Sequence, residues 1–291
     1  MSHEHLVKGS SLSRQLLRCP PGKYDREERL QHRYTRKMDF AGLCLLSILY
    51  ISILSTSTND IPDVLLHPMF ACQLLTAIIS VYNLYVEIHV LPRGTKEAAD
   101  DFRVTYGPFG RWVYLTHQTI GLLAVHSVIS VLAPCLSQRL AYGTYTAAPV
   151  VGATGVFVTV QYFNLVFSHP DHKQNCRVWA ARGFRFGFVD GLRHSLPIVI
   201  AVLDMVARDS HALSAAMPSA FHTLCIHAVY MLMFLCMVHT NHAITGCWPY
   251  GFMKELGSHV WKWLAFAAVQ GMLLSACASF LYFLGRSERW L

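Results

Sequence analysis

Seven apolar stretches divide this 291-residue chain, at 40–57, 69–91, 113–134, 146–168, 189–207, 219–239 and 260–285. A hydrocarbon layer about 30 Å thick needs roughly 20 apolar residues to be crossed as a helix. Only helices and closed barrels satisfy their own backbone there. The expected fold is therefore all-α, a polytopic transmembrane helix bundle of six or seven spans. The count turns on 40–57, the shortest stretch, which runs into the polar sequence Ser55-Thr56-Ser57-Thr58-Asn59-Asp60. Composition agrees. Charged residues make up 14% of the chain, against about 25% in soluble domains, and a third of them lie in residues 1–39. What remains is too little charge to coat a water-facing surface.

Lys and Arg alternate across the connections: nine in 1–39, none in 58–68, four in 92–112, one in 135–145, four in 169–188, and one each in 208–218 and 240–259. Cytosolic loops carry the excess of Lys and Arg, so the amino terminus and the Thr116 end of the third stretch are expected to be cytosolic. The tail, 1–39, reads as mostly disordered and basic, with anionic lipid as its partner. Residues 40–57 read as an additional apolar segment, and the rest as the bundle proper. Basic charge confined to a tail and two loops marks membrane faces rather than a nucleic-acid groove, so no nucleic-acid partner is expected. Nine scattered cysteines without a Cys-x-x-Cys pair form neither a disulfide framework nor a zinc ribbon.

Ionisable and polar groups inside spans are costly and mark candidate sites. Thr116 follows the interfacial residues Trp112 and Tyr114. Its bland role is a hydroxyl bonded back to the carbonyl of Trp112. In 188–197, Asp190 and His194 are four apart and share a helix face. A carboxylate there can fix the imidazole tautomer and leave the other nitrogen as a base. Arg193 and Ser195 flank that histidine, and Pro197 leaves the Arg193 carbonyl without its helical donor. The alternative is a self-satisfied charge cluster at a helix end. Asp204 follows ten residues after His194. His239 with His242, and His169 with His172, are each three apart, but two ligands do not make a metal site. No metal centre and no cofactor is expected. There is no Gly-x-Ser-x-Gly elbow, no His-Glu-x-x-His and no phosphate loop.

Taken in order, the landmarks resemble a family of multi-span membrane lipid hydrolases, the androgen-induced and androgen-dependent TFPI-regulating proteins. The segments that carry the resemblance are Gly110-Arg111-Trp112-Val113-Tyr114-Leu115-Thr116, Ala148-Pro149-Val150, Asp190-Gly191-Leu192-Arg193-His194, Gly246-Cys247-Trp248-Pro249-Tyr250 and Leu281-Tyr282-Phe283-Leu284-Gly285. They are individually short, and their order from about residue 66 to 286 carries the likeness. The resemblance implies hydrolysis of fatty acid esters of hydroxy fatty acids in the endoplasmic reticulum or plasma membrane. It puts the nucleophile on Thr116 and the base on His194. Asp190, Arg193, Ser195, Asp204, His117 and His242 are the supporting candidates, with Arg193, Ser195 or His117 as donors to a developing oxyanion.

Departures from the family pattern mark a divergent member. Asp190 stands where the family has Asn, Gly191 where it has His, and Asp204 where it has Glu. Proline follows the histidine by three residues instead of five. The tail and segment 40–57 are additions, and the loop charges place the Thr116 end on the face opposite to the one the family implies. Three other functions fit the residues: a metal-dependent hydrolase using several histidines, a non-enzymatic haem or transport protein using His126, His194, His227 or His239, and a family member without catalysis that acts as a scaffold through its tail.

Overall fold

A computed structural model describes residues 26–55, 70–90, 104–105, 107–257 and 259–286. The first 25 residues of the basic tail lie outside the described residues. The helices are α1 (Arg26–Ser55), α2 (Phe70–Tyr85), α3 (Leu115–Leu136), α4 (Gln138–Gln161), α5 (Pro170–Ala181), α6 (Phe186–Val206), α7 (Ser210–Ala216), α8 (Ala220–Thr245), α9 (Met253–Leu256) and α10 (Val260–Arg286). Among the described residues there is no strand, and seven helices are long and apolar enough to cross a membrane. The protein is a multi-pass integral membrane protein built as an all-α bundle.

Three boundaries differ from the sequence expectation. Helix α1 starts at Arg26, inside the segment read as a disordered tail, and runs without a break through residue 39. The connection expected at 135–145 is helical, because α3 and α4 are separated only by Ser137, whose extended backbone (φ −167°) turns the chain. Helix α8 runs on to Thr245, six residues past the expected end at 239. Both α2 and α4 end in a π-helical turn, Val86–Val90 and Tyr162–Val166. Such turns recur at functional positions, and here they carry Glu87 and Tyr162.

Helices α3 and α4 form the centre, and α4 packs against α1, α3, α6 and α10. The closest approach is between α4 and α6. A Cβ on Gly155 would fall 2.7 Å from the carbonyl oxygen of Pro197, so only glycine lets the two backbones meet there. Hydroxyls inside the spans return to their own helix, as in Thr76 to the carbonyl of Cys72 and Ser80 to that of Thr76. That is how apolar surroundings tolerate them. Large apolar side chains, among them Ile48, Ile78, Leu232, Leu264 and Phe283, cover the outside of the bundle. Surrounding lipid is the solvent that such a surface requires.

Candidate active site

Four segments meet at one end of the bundle: the π-turn of α2, the start of α3, the π-turn of α4 and the start of α6. A 3₁₀ turn, Gly110–Val113, leads into α3 and puts Thr116 in that helix's first turn. His194 lies in the third turn of α6. Thr116 Oγ1 is 3.1 Å from His194 Nε2, and both residues are buried. The hydroxyl therefore does not bond back to Trp112, whose carbonyl accepts from Gln118 Nε2 at 2.6 Å.

The imidazole is oriented, but not by the group expected. His194 Nδ1 donates to the backbone carbonyl of Asp190 at 2.8 Å, while the Asp190 carboxylate stands 3.6 Å away. This leaves Nε2 as the acceptor facing Thr116. The carboxylate is occupied elsewhere. Its Oδ2 accepts from the Tyr162 hydroxyl at 2.8 Å and from His172 Nε2 at 3.0 Å, and its Oδ1 accepts from Arg193 Nε at 2.7 Å. Tyr162 lies flat on the His194 ring, with centroids 3.6 Å apart and planes 8° from parallel. Pro197 leaves the Arg193 carbonyl open as predicted, and Asn83 Nδ2 of α2 fills it at 3.3 Å. Thr159 Oγ1 of α4 donates to the carbonyl of His194 at 2.6 Å. The α6 turn that carries the histidine is thus pinned from two neighbouring helices.

The supporting candidates separate. Arg193 is held by Glu87 and Asp190. His117 is held by Glu87 Oε1 at 3.0 Å, with Asp39 Oδ1 3.3 Å from its other ring nitrogen. Ser195 Oγ bonds to the carbonyl of Gly191 in its own helix at 2.9 Å. None of the three is placed as a spare donor at Thr116. Asp204 is not part of this site: ten residues along α6 from His194 is about 15 Å of rise. It pairs instead with His126 and Arg208. His242 is also elsewhere, stacked on Trp248 with centroids 3.7 Å apart. The paired histidines diverge as well, since His172 faces Asp190 and His169 caps the start of α5. Among the described residues no three His, Cys, Asp or Glu side chains converge as a metal site requires. The four histidines considered as haem ligands have separate partners: Tyr50 and Asp204 for His126, Thr116 for His194, Ser275 for His227 and Trp263 for His239.

Four residues that sequence reasoning did not assign to this site complete it. Glu87, 2% exposed, bonds to both Arg111 and Arg193 and to His117. A lone carboxylate within an apolar stretch was the available signal, by the same rule that picked out Asp190. Tyr162 had no such signal, because a tyrosine at a span end suits an interfacial belt equally well, and His172 stood out only as half of a pair with His169. Tyr250 sits in a recognised motif. Its hydroxyl accepts the Leu115 N–H at 2.9 Å, one of the donors left over at the start of a helix, and it also lies against Thr116. Burial pushes the Tyr250 phenol up to about 12, so it stays an O–H donor at neutral pH.

Thr116, Tyr162 and Tyr250 line a mostly apolar pocket between α3, α4, α8 and α10, walled by Phe157, Met231, Phe234 and Phe266. Farther along it, Gln161 Nε2 donates to Gln270 Oε1 at 2.8 Å. No curated protein and no solved structure matches the chain. The FAR-17a/AIG1-like protein family matches it over residues 69–283, from the start of α2 almost to the end of α10, and with three-quarters of its length covered the protein belongs to that family.

Proposed function

We propose that the protein hydrolyses fatty acid esters of hydroxy fatty acids within the membrane of the endoplasmic reticulum or the cell surface, with Thr116 as nucleophile and His194 as base. The observation that carries this reading is the buried 3.1 Å contact between Thr116 Oγ1 and His194 Nε2 on the wall of an apolar pocket. A threonine hydroxyl is a weak nucleophile until a neighbouring base takes its proton. A backbone carbonyl on Nδ1 directs the free lone pair of Nε2 at that proton.

The proposed reaction runs in two stages. His194 Nε2 takes the hydroxyl proton as Thr116 Oγ1 bonds to the ester carbonyl carbon, and the carbonyl π electrons move onto its oxygen. Collapse of this tetrahedral intermediate breaks the bond to the alcohol oxygen, which leaves with the proton from Nε2. Water then attacks the acyl-threonine with the same base, releasing the acid and restoring the hydroxyl. The oxyanion needs a donor placed beforehand. Tyr250 fits, because its oxygen accepts the Leu115 N–H, which keeps its own hydrogen for another partner, and the hydroxyl lies against Thr116, where the ester carbonyl would sit. A pocket lined mainly by Phe, Met, Leu and Val side chains suits acyl chains.

Two measurements test this. Acid quenching during turnover of a branched hydroxy-fatty-acid ester, followed by peptide mass spectrometry, is expected to find the acyl mass on Thr116. An acyl group on any other residue would sink the nucleophile assignment. Tyr250→Phe is expected to lower kcat about 10²-fold with KM nearly unchanged, the size of effect seen for one lost oxyanion donor. A KM effect alone would make Tyr250 a pocket wall and nothing more.

A further inference from the structure

The family match begins at residue 69, so α1 lies outside it. Yet α1 reaches the site. Asp39 is 1% exposed, and its Oδ1 stands 3.3 Å from Nε2 of His117, the residue after Thr116. Beside it, Trp112 Nε1 donates to the carbonyl of Met38 at 3.2 Å. Gly42 makes room for the same indole, since a Cβ there would fall 2.2 Å from Trp112 Nε1. The indole stands edge-on to the His117 ring, with centroids 4.8 Å apart. Helix α1 therefore grips residues on both sides of the turn that presents Thr116.

From His117 the contacts continue to the base. His117 Nδ1 pairs with Glu87 at 3.0 Å, Glu87 pairs with Arg193, and Arg193 pairs with Asp190, whose carbonyl takes the His194 Nδ1 proton. Nucleophile and base sit on different helices, and small misplacements between such groups cost large factors in rate. Buried polar links of this kind act strongly because little water screens them.

We infer that Asp39, on a helix outside the family-matched segment, is a positioning residue for the Thr116–His194 pair. It fixes the first turn of α3 through His117 and the base-bearing turn of α6 through Glu87 and Arg193. This rests on the dyad proposed above.

The same helix supplies its own control. Tyr50 pairs with His126, eleven residues and about 16 Å along α1 from Asp39. This second contact also holds the helix down, and it lies away from the dyad. A purely structural role would make the two contacts equivalent.

The test uses the full-length protein in lipid nanodiscs with Thr116→Cys as background. A thiol introduced beside His194 Nε2 reacts as thiolate, so its rate reports how the base is placed. Modification by methyl methanethiosulfonate is followed at position 116 by peptide mass spectrometry, which separates it from the native cysteines and needs no ester turnover. Asp39→Asn is expected to slow modification about tenfold, and Asp39→Glu to restore most of the rate. Tyr50→Phe should lower the melting temperature while leaving the rate within about twofold. His117→Asn reads the contact from its other side and should slow the thiol as Asp39→Asn does, which keeps the test decisive if Asp39→Asn does not fold. An unchanged rate in Asp39→Asn, or in His117→Asn where that variant must serve, overturns the proposal, as does equal slowing by Tyr50→Phe. Failure of the wild type to turn over any ester would sink the hydrolase alone, since the thiol rates still decide the role of Asp39.

Discussion

Alanine at Thr116 is expected to cut ester turnover about 10³-fold or more, with the amount of folded protein unchanged. The substitution removes the attacking oxygen itself, and losses on that scale follow removal of a nucleophile elsewhere. For the fold it deletes one methyl group and one hydrogen bond, worth about 1 kcal/mol. His194→Ala should lose as much, because without Nε2 the hydroxyl keeps its proton. The double variant should be no worse than either single one, since members of a catalytic unit fail together. Thr116→Ser keeps the oxygen and is expected to retain measurable turnover. Chelator should change none of these values, whereas a histidine-bound metal would make wild-type turnover depend on it. The measurement is ester hydrolysis per folded protein in membranes carrying each variant. Residual wild-type rate in Thr116→Ala, or additive losses in the double variant, would remove the dyad.

The spans were legible because apolar length alone decides them: all seven expected stretches overlap long apolar helices, four of them to within three residues at both ends. The exceptions have local causes. Residues 135–145 looked like a loop because they are polar at Gln138, Arg139 and Thr144, yet only Ser137 interrupts the helix there, and α4 runs from Gln138 through Pro149. Residues 26–39 looked disordered because of their dense charge, although among the described side chains at 34–39 Thr35 and Asp39 are buried. Within the site, His194 and Thr116 could be paired only through the family resemblance, since 78 residues separate them and no spacing rule spans two helices. Asp190 was rightly placed near His194, but which of its oxygens would face the ring is a rotamer question that Arg193, Tyr162 and His172 decide. Asp204 shows the limit of matching by separation. The ten-residue interval that supported the resemblance is also what keeps it out of reach of the base.

Asp204→Ala is expected to destabilise the bundle by about 3–5 kcal/mol, the cost of leaving a buried charge without its partner. The orphaned group is Arg208, whose side chain is wholly buried. Its Nη2 donates to Asp204 Oδ1 and to Ser130 Oγ, each at 2.9 Å, and its guanidinium lies 4.9 Å from the centre of the Tyr145 ring. His126 joins through Nε2, 3.0 Å from Asp204 Oδ2, and pairs with Tyr50 through Nδ1. One carboxylate thus satisfies an arginine and a histidine and links α1, α3, α4 and α6. The hydroxyls of Ser130 and Thr144 remain as partners, but neither carries the charge that would balance the guanidinium. Removing both charges should cost less than removing one, because a pair replaced by apolar groups of similar volume is close to neutral. Asp204→Leu with Arg208→Met is therefore expected to melt above Asp204→Ala, read as the midpoint of thermal unfolding in detergent. Turnover per folded protein should stay near wild type in every variant that folds, since ten residues of α3 separate His126 from Thr116. A fall in kcat without a fall in melting temperature would instead join this cluster to the chemistry at the other end of the bundle.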